Sequence, residues 1–253
     1  RIGKIFENIL IFYDHSRLQK RSLPPSMTLK NSFLHAPKVS IVITTKDRYS
    51  SLARCLHSLA RQRKKPDEVI LVDASVNKDT SLINPFRKDL PLTYKGVNDA
   101  GIGYQRNIGL NSVTGDIVAM IADDCEARST WIENIIQVHQ SNPHASAIQG
   151  RILADPSGSL FAILEQVRLD NWLLKNLDKR NQLYALNTTN VSFKTKVIKQ
   201  QKLQFGQTSF NSKYGGEEIE MVYGLSVLDK VIHYEPKVKV YYRGETKLLD
   251  YLR

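Results

Sequence analysis

The 253-residue sequence has only two cysteines, Cys55 and Cys125, far apart and in no C-x-x-C arrangement. That excludes a disulfide framework and a thiolate zinc centre, and it points to a reducing, cytoplasmic setting. The six histidines form no H-E-x-x-H pattern, which argues against a zinc hydrolase. No run approaches the roughly 18 uncharged apolar residues needed to span a bilayer, and no secretory signal pattern opens the chain. The first residue is Arg1 rather than Met, so a fragment of a longer chain is one reading. Acidic residues are also in deficit: 25 against 36 Lys and Arg, a net charge of +11. Such a surplus implies an anionic partner, namely a nucleic acid, a phosphorylated small molecule or an acidic membrane surface. Charge alone does not choose among them.

What is present is the composition of a globular protein, 42% hydrophobic and 24% charged, enough to bury a sizeable core. Ile2, Ile5, Phe6, Ile9, Leu10 and Tyr13 recur at helical spacing between Arg1, Lys4, Arg17, Lys20 and Arg21. They predict an amphipathic helix, either packed on protein or lying on an anionic membrane surface. Residues 22–38, with Pro24, Pro25 and Pro37, read as a linker.

Beyond it, strand and helix patterns alternate. "KVSIVITT", "DEVILVDAS", "LTYKGV" and "GDIVAMIADD" read as strands. Between and after them come helical patterns over Ser50 to Arg63, over "GYQRNIGLNSV", and over "STWIENIIQVHQSN" with Ser129 as N-cap. Later, "SLFAILEQVRLDNWLLKNL" and the end of "KYGGEEIEMVYGLSVL" read as helices, "YALNTTNVSFKTKVI" as a strand and turn, and "KVIHYEPKVKVYYRG" as strand. The expectation is an α/β fold with a mostly parallel sheet flanked by helices and an N-terminal helical extension. Ligands in such sheets bind beyond the carboxyl ends of the strands, where Thr44, Thr45, Asp73, Asp123 and Asp124 fall.

Two adjacent carboxylates at the end of an apolar strand each make the other costlier to ionise. A divalent cation, Mg²⁺ or Mn²⁺, shared with a phosphorylated ligand would relieve that repulsion. Capping of the next helix is the plainer alternative. "DAGIGYQRNIGL" brings Arg106 and Asn107 to a glycine-opened helix start that can face phosphate oxygens, or is simply a turn with a surface Arg. Glu217, Glu218 and Glu220 read on their own as an acidic helix start favoured by the helix dipole.

Taken in order, "VSIVITTKDR", "EVILVDAS", "GYQRNIGL", "GDIVAMIADDCE", "NTTNVSFK" and "YGGEEIEM" resemble the signature segments of family 2 inverting glycosyltransferases with the GT-A fold, a Rossmann-like nucleotide-diphospho-sugar transferase architecture. The resemblance runs from Lys38 to about Arg243. It implies a nucleotide-sugar-binding half over 38–145 and an acceptor-binding half over 146–253, preceded by the helix and linker of 1–37. It implies that Thr44, Thr45 and Asp73 line the nucleoside pocket with Asp47 and Arg48 nearby, and that Arg106 and Asn107 face the donor. Asp123 would lie near the ribose, Asp124 would hold the metal, and Asn190 would line the donor sugar. Glu218 would be the catalytic base, with Glu217 on the acceptor side.

The implied activity is metal-assisted, inverting transfer from a nucleotide sugar, expected to be a UDP-sugar, to a saccharide or lipid-linked hydroxyl in cell-envelope polysaccharide or glycolipid synthesis. The implied location is cytoplasmic, extending to the inner face of the membrane. Departures from the family pattern are Ala122 and Ala74 where acids often stand, Glu218 for Asp, and Tyr242 near the usual His. They keep two rivals in view: a nucleotidyltransferase, and a noncatalytic sugar-nucleotide or nucleic-acid binding domain. No aromatic-basic motif supports nucleic acid.

Overall fold

A computed structural model describes residues 36–98, 101–154, 160–206, 216–228 and 230–243. The expected N-terminal amphipathic helix lies outside the described residues. Four strands, β1 (Val39–Thr45), β2 (Glu68–Asp73), β3 (Leu92–Gly96) and β4 (Ile117–Ile121), form a parallel block in the order β3-β2-β1-β4. Their sequences are nearly continuous apolar runs because both faces of this block are covered, as parallel sheets require. The pleat sorts the residues: Ile41, Ile43, Leu71 and Ala119 enter one core, while Val42, Ile70, Val72 and Met120 enter the other.

On the first face lie α1 (Tyr49–Ala60), through Leu52, Leu56 and Leu59, and α3 (Trp131–Ser141), through Ile132 and Ile135. The second face is covered by α2 (Ile102–Ser112), α5 (Thr195–Gln200) and α6 (Glu218–Val227), through Leu110, Ile198 and Leu225. Gly109 lets α2 sit directly on β1, since a Cβ there would stand 2.3 Å from Val42 Cγ1.

The sheet continues through β8 (Asn190–Lys194), β6 (Ala145–Ala154), β9 (Val231–Tyr242) and β5 (Cys125–Ala127), with β7 (Gln182–Leu183) paired to β9. Strands β1 to β4, β6 and β9 run one way, and β5, β7 and β8 the other, so the sheet is mostly parallel. Helix α4 (Leu160–Asn176) packs on β6.

Three local expectations are corrected. Residues 145–154, unassigned from sequence, form a central strand; its pattern is masked by Gln149, which is fully buried. The Gln149 amide donates to the Asn187 and Asn190 carbonyls and accepts from Asn187 N–H, so its polarity is satisfied inside the core. The expected turn after β8 is the short helix α5. Ser129 does not cap α3, which starts at Trp131 with Thr130 in the N-cap position and no local side-chain cap. Instead the buried Gln62 Oε1 accepts from Ile132 N–H at 3.2 Å, replacing a local cap with one from the end of α1.

Candidate active site

Register brings Thr45 and Asp73 level at the carboxyl ends of β1 and β2. Strand β4 stops at Ile121, and Cys125 N–H bonds back to the Ala122 carbonyl, so Asp123 and Asp124 occupy the middle of a tight turn. The turn aims them differently. Asp123 is buried and accepts from Thr45 Oγ1 at 2.6 Å, whereas Asp124 is partly open and bonds Arg48 Nη1 at 2.9 Å. The same Arg48 nitrogen lies 3.4 Å from Asp123 Oδ1. Burial pushes the Asp123 carboxyl above its usual range, and the Thr45 hydroxyl and Arg48 guanidinium oppose that push. One positive charge therefore already sits between the two acids.

Asp47 and Asp73 serve the frame of this rim. Asp47 adopts a left-handed φ of 56°, which aspartate tolerates. Its N–H donates to Ser75 Oγ and its carboxylate accepts from Val76 N–H, tying the loop after β1 to the loop after β2. Asp73 is fully buried. It accepts from the Tyr49 hydroxyl at 2.6 Å, the Tyr94 hydroxyl at 2.9 Å and Ser75 N–H at 2.8 Å. Burial would raise its pKa, but these bonds outweigh it and hold the carboxylate below the usual range. The Asp73 carboxylate, expected at the nucleoside pocket, is engaged here by three donors of the chain itself.

On the far side of the same cleft stands Arg106. Thr44, Ala122, Asp123, Arg106 and Thr188 border this space, which is about 60 Å³, the volume of one or two waters. Arg106 Nη1 bonds Glu217 Oε1 at 2.5 Å and lies 3.4 Å from Glu218 Oε1, and its guanidinium stacks 5.5 Å above the Phe205 ring. Asn107, expected to face the donor, turns inward. Its amide donates to the Phe205 carbonyl and accepts from Phe205 N–H, clamping the residue on which Arg106 rests.

Gly103 meets the same segment: a Cβ there would stand 2.1 Å from the Gly206 carbonyl oxygen, and Gly206 N–H bonds the Glu217 carbonyl. The start of α2 thereby fixes the start of α6. Glu218 accepts from Thr188 Oγ1 at 2.8 Å. Glu217 Oε2 is buried without a hydrogen-bond partner among the described residues.

Asn190, expected to line the donor sugar or the acceptor side, is likewise held by the chain itself. Its side chain is enclosed, taking Trp131 Nε1–H on Oδ1 and giving both amide protons to the Arg151 and Val238 carbonyls. It joins α3, β6 and β9 and does not reach the cleft.

Sequence reasoning missed Thr188, although it lies inside the quoted "NTTN". It also missed Tyr49 and Tyr94, whose partnership with Asp73 depends on sheet register. Cys55 and Cys125 are buried with thiols pushed far up by burial, so neither is a nucleophile. Burial, and then the charges of Asp124 and Glu165, likewise raise the Tyr242 phenol, which keeps it protonated.

Residues 40–205 match the family described as glycosyl transferase family 2, well over half of the chain, and the chain belongs to that family. It is 33% identical over 122 residues to the glucosyl-dolichyl phosphate glucuronosyltransferase of Haloferax volcanii, covering 47% of this chain and 39% of that protein. It is 27% identical over 132 residues to the GalNAc(5)-diNAcBac-PP-undecaprenol beta-1,3-glucosyltransferase of Campylobacter jejuni, covering 49% and 41%. The chain thus spans about two fifths of the length of these relatives. Among solved structures, the mannosyltransferase PcManGT of Pyrobaculum calidifontis, in complex with GDP-Man and Mn2+, superposes with a TM-score of 0.66 at 16% identity, covering 95% of this chain and 65% of that one. S. aureus TarS 1-349 in complex with UDP-GlcNAc gives 0.63 at 16%, covering 83% and 59%. The fold is GT-A.

Proposed function

We propose that the chain transfers a sugar, with inversion, from a nucleotide-diphosphate sugar to a hydroxyl of a saccharide or lipid-linked acceptor, in cell-envelope polysaccharide or glycolipid synthesis. One observation carries the reading. The cleft is bordered on one side by Asp123, and on the other by Thr188 and Arg106, both of which touch Glu218. Asp123 and the two residues that hold Glu218 therefore border a common space.

Glu218 accepts the proton of the acceptor hydroxyl as its oxygen attacks the anomeric carbon and the bond to the diphosphate breaks. One displacement inverts the configuration. Thr188 keeps one carboxylate oxygen of Glu218 in place. Arg106, released from Glu217 and Glu218 when donor is admitted, reaches the diphosphate.

Asp123 and Asp124 fit Mg²⁺ or Mn²⁺. Their oxygens are hard donors, and a guanidinium already holds the position a cation would take. Among the described residues no three His, Cys, Asp or Glu side chains cluster, so the remaining ligands would be phosphate and water, as is usual for Mg²⁺ at phosphate sites. When bound, the ion neutralises the leaving diphosphate. The structural relative described with GDP-Man and Mn2+ supports this assignment.

Two relatives carry lipid-linked compounds in their names. On α6, Ile219, Tyr223 and Val227 are exposed on one face beginning one residue after Glu218, a surface suited to the apolar part of such an acceptor. Among the described residues no helix is long and apolar enough to cross a membrane, and a peripheral position at the inner face is the location proposed.

Incubation with candidate UDP- and GDP-sugars and Mn²⁺ tests the reaction. Nucleoside diphosphate should accumulate in step with acceptor glycosylation. Release of pyrophosphate would instead identify a nucleotidyltransferase.

A further inference from the structure

Helix α4 is built the wrong way round for a helix that serves only its own core. Leu160, Ile163, Leu164, Val167 and Leu174 are 66, 54, 45, 54 and 75% exposed. Their spacing gathers them into one stripe, an arc of about 100° of the helix, the width normally turned toward a protein interior. The opposite face is the one that packs: Glu165 and Leu169 are buried, and Leu169 joins the core that contains Val240 and Trp131. A second apolar face is thus left in water.

The charges around the stripe are segregated. Arg168 and Lys175 are exposed on one side of α4, the half-covered Asp170 lies on the other, and Lys179 and Arg180 extend the cationic series past the helix end. The acids are all ion-paired, and Asp170, whose side chain is 41% exposed, borders the other edge of the stripe. Glu165 lies against the core side bonded by Arg168, Asp170 is bonded by Arg151, and Asp178 is largely covered and bonded by Arg180. On a helical projection Arg168 and Lys175 fall on one flank of the stripe, about 70° to 100° from its centre.

We propose that α4 is a membrane-docking helix that lays its apolar stripe into the headgroup boundary of an anionic lipid surface, with Arg168, Lys175, Lys179 and Arg180 meeting the lipid phosphates. An apolar face with a cationic border is the construction of an interfacial helix. A second copy of the chain fits worse in an antiparallel pairing, because a two-fold through this stripe would then bring the cationic flanks together. Helix α4 lies close to the acid turn, since Gln166 Oε1 accepts from Ala154 N–H, Ala154 pairs with Tyr242, and Tyr242 pairs with Cys125, the residue after Asp124. Docking through α4 would therefore hold the site near the bilayer surface. The inference goes beyond the proposed reaction and does not depend on it.

The test uses the full chain with vesicles of phosphatidylcholine, with and without phosphatidylglycerol. The protein should co-sediment with the anionic vesicles and much less with the neutral ones. Val167→Asp with Leu174→Asp should lower the bound fraction about tenfold or more, and Lys175→Glu with Lys179→Glu should remove the preference for anionic lipid. All four positions are exposed, and melting followed by circular dichroism should be unchanged. Because both native cysteines are buried, Val167→Cys can be labelled selectively with a polarity-sensitive dye, which should shift to the blue on anionic vesicles.

Three results would overturn the proposal: wild-type protein left in the supernatant, a Val167→Asp, Leu174→Asp variant that pellets like wild type, or sedimentation velocity showing a dimer that this variant dissolves. Transfer to a soluble acceptor, assayed in parallel, separates failure of docking from failure of the reaction.

Discussion

The Thr188 hydroxyl donates to Glu218 Oε1 at 2.8 Å, joining the loop before β8 to the first residue of α6. Nothing in either segment alone announces this bond. Thr188→Val keeps the shape but removes the donor. The expected result is a fall in kcat of about tenfold with donor KM little changed, because the bond orients the base and does not touch the nucleotide. Steady-state release of nucleoside diphosphate measures both constants. An equal rise in KM with constant kcat would place Thr188 in donor binding instead.

Glu218 itself is expected to be indispensable to turnover and dispensable for binding. Glu218→Gln preserves volume and the ability to accept from Thr188 while abolishing the basic oxygen. Transfer should drop by about 10² to 10⁴, the range for loss of a general base. The thermal stabilisation by donor and Mn²⁺ should persist, since ligand that binds only the folded chain still raises its stability.

Arg48 occupies the place of a cation, which yields a test of the metal assignment that needs no turnover. In Arg48→Ala the two carboxylates lose the cation they share, and stability in EDTA should fall by about 1 kcal/mol, the scale of a half-exposed ion pair. Mn²⁺ should restore most of that loss and give a larger melting shift in the variant than in wild type. Equal losses with and without Mn²⁺ would show that Asp123 and Asp124 do not hold the ion.

Asn190 is expected to matter for folding. It satisfies the Trp131 indole N–H and two carbonyls in an enclosed site, and Asn190→Ala leaves all three unpaired. A loss of about 3 kcal/mol follows if each orphaned group costs about 1 kcal/mol. Urea unfolding gives the value. The variant, kept cold, should bind donor with unchanged affinity.

These cases mark what the sequence made legible. The parallel block was readable because strands covered on both faces must be apolar throughout, and the rim positions follow once strand ends are placed. Asp124, Arg106 and Glu218 were reachable by resemblance; of these Arg106 borders the cleft, while Asp124 connects to it through Arg48 and Asp123, and Glu218 through Thr188. Asp73, Asn107 and Asn190 occupy equally suggestive motifs, yet their side chains turn inward to Tyr49 and Tyr94, to Phe205 and to Trp131. Residue type and spacing are the same for a ligand-facing amide and a frame-holding one. Only register between distant segments decides between them. The same limit hid β6, where a buried Gln149 breaks the apolar pattern because its partners come from the loop before β8.

His139 supplies a pH test of the frame. It is fully buried on α3, its Nε2 lies 2.9 Å from Ser192 Oγ, and its Nδ1 has no partner among the described residues. Burial, with a smaller contribution from the Lys194 charge, depresses its pKa from 6.5 to about 3. Between those values the unfolded chain binds a proton that the folded chain refuses, so unfolding is favoured as the pH falls. The contribution is constant above about pH 6.5 and is lost progressively below it, at up to about 1.4 kcal/mol per pH unit. Urea midpoints should therefore decline from pH 7 to pH 4.5 more steeply in wild type than in His139→Gln, which cannot take up the proton in either state. Parallel declines in the two proteins would assign the acid sensitivity to the carboxylates of the rim instead.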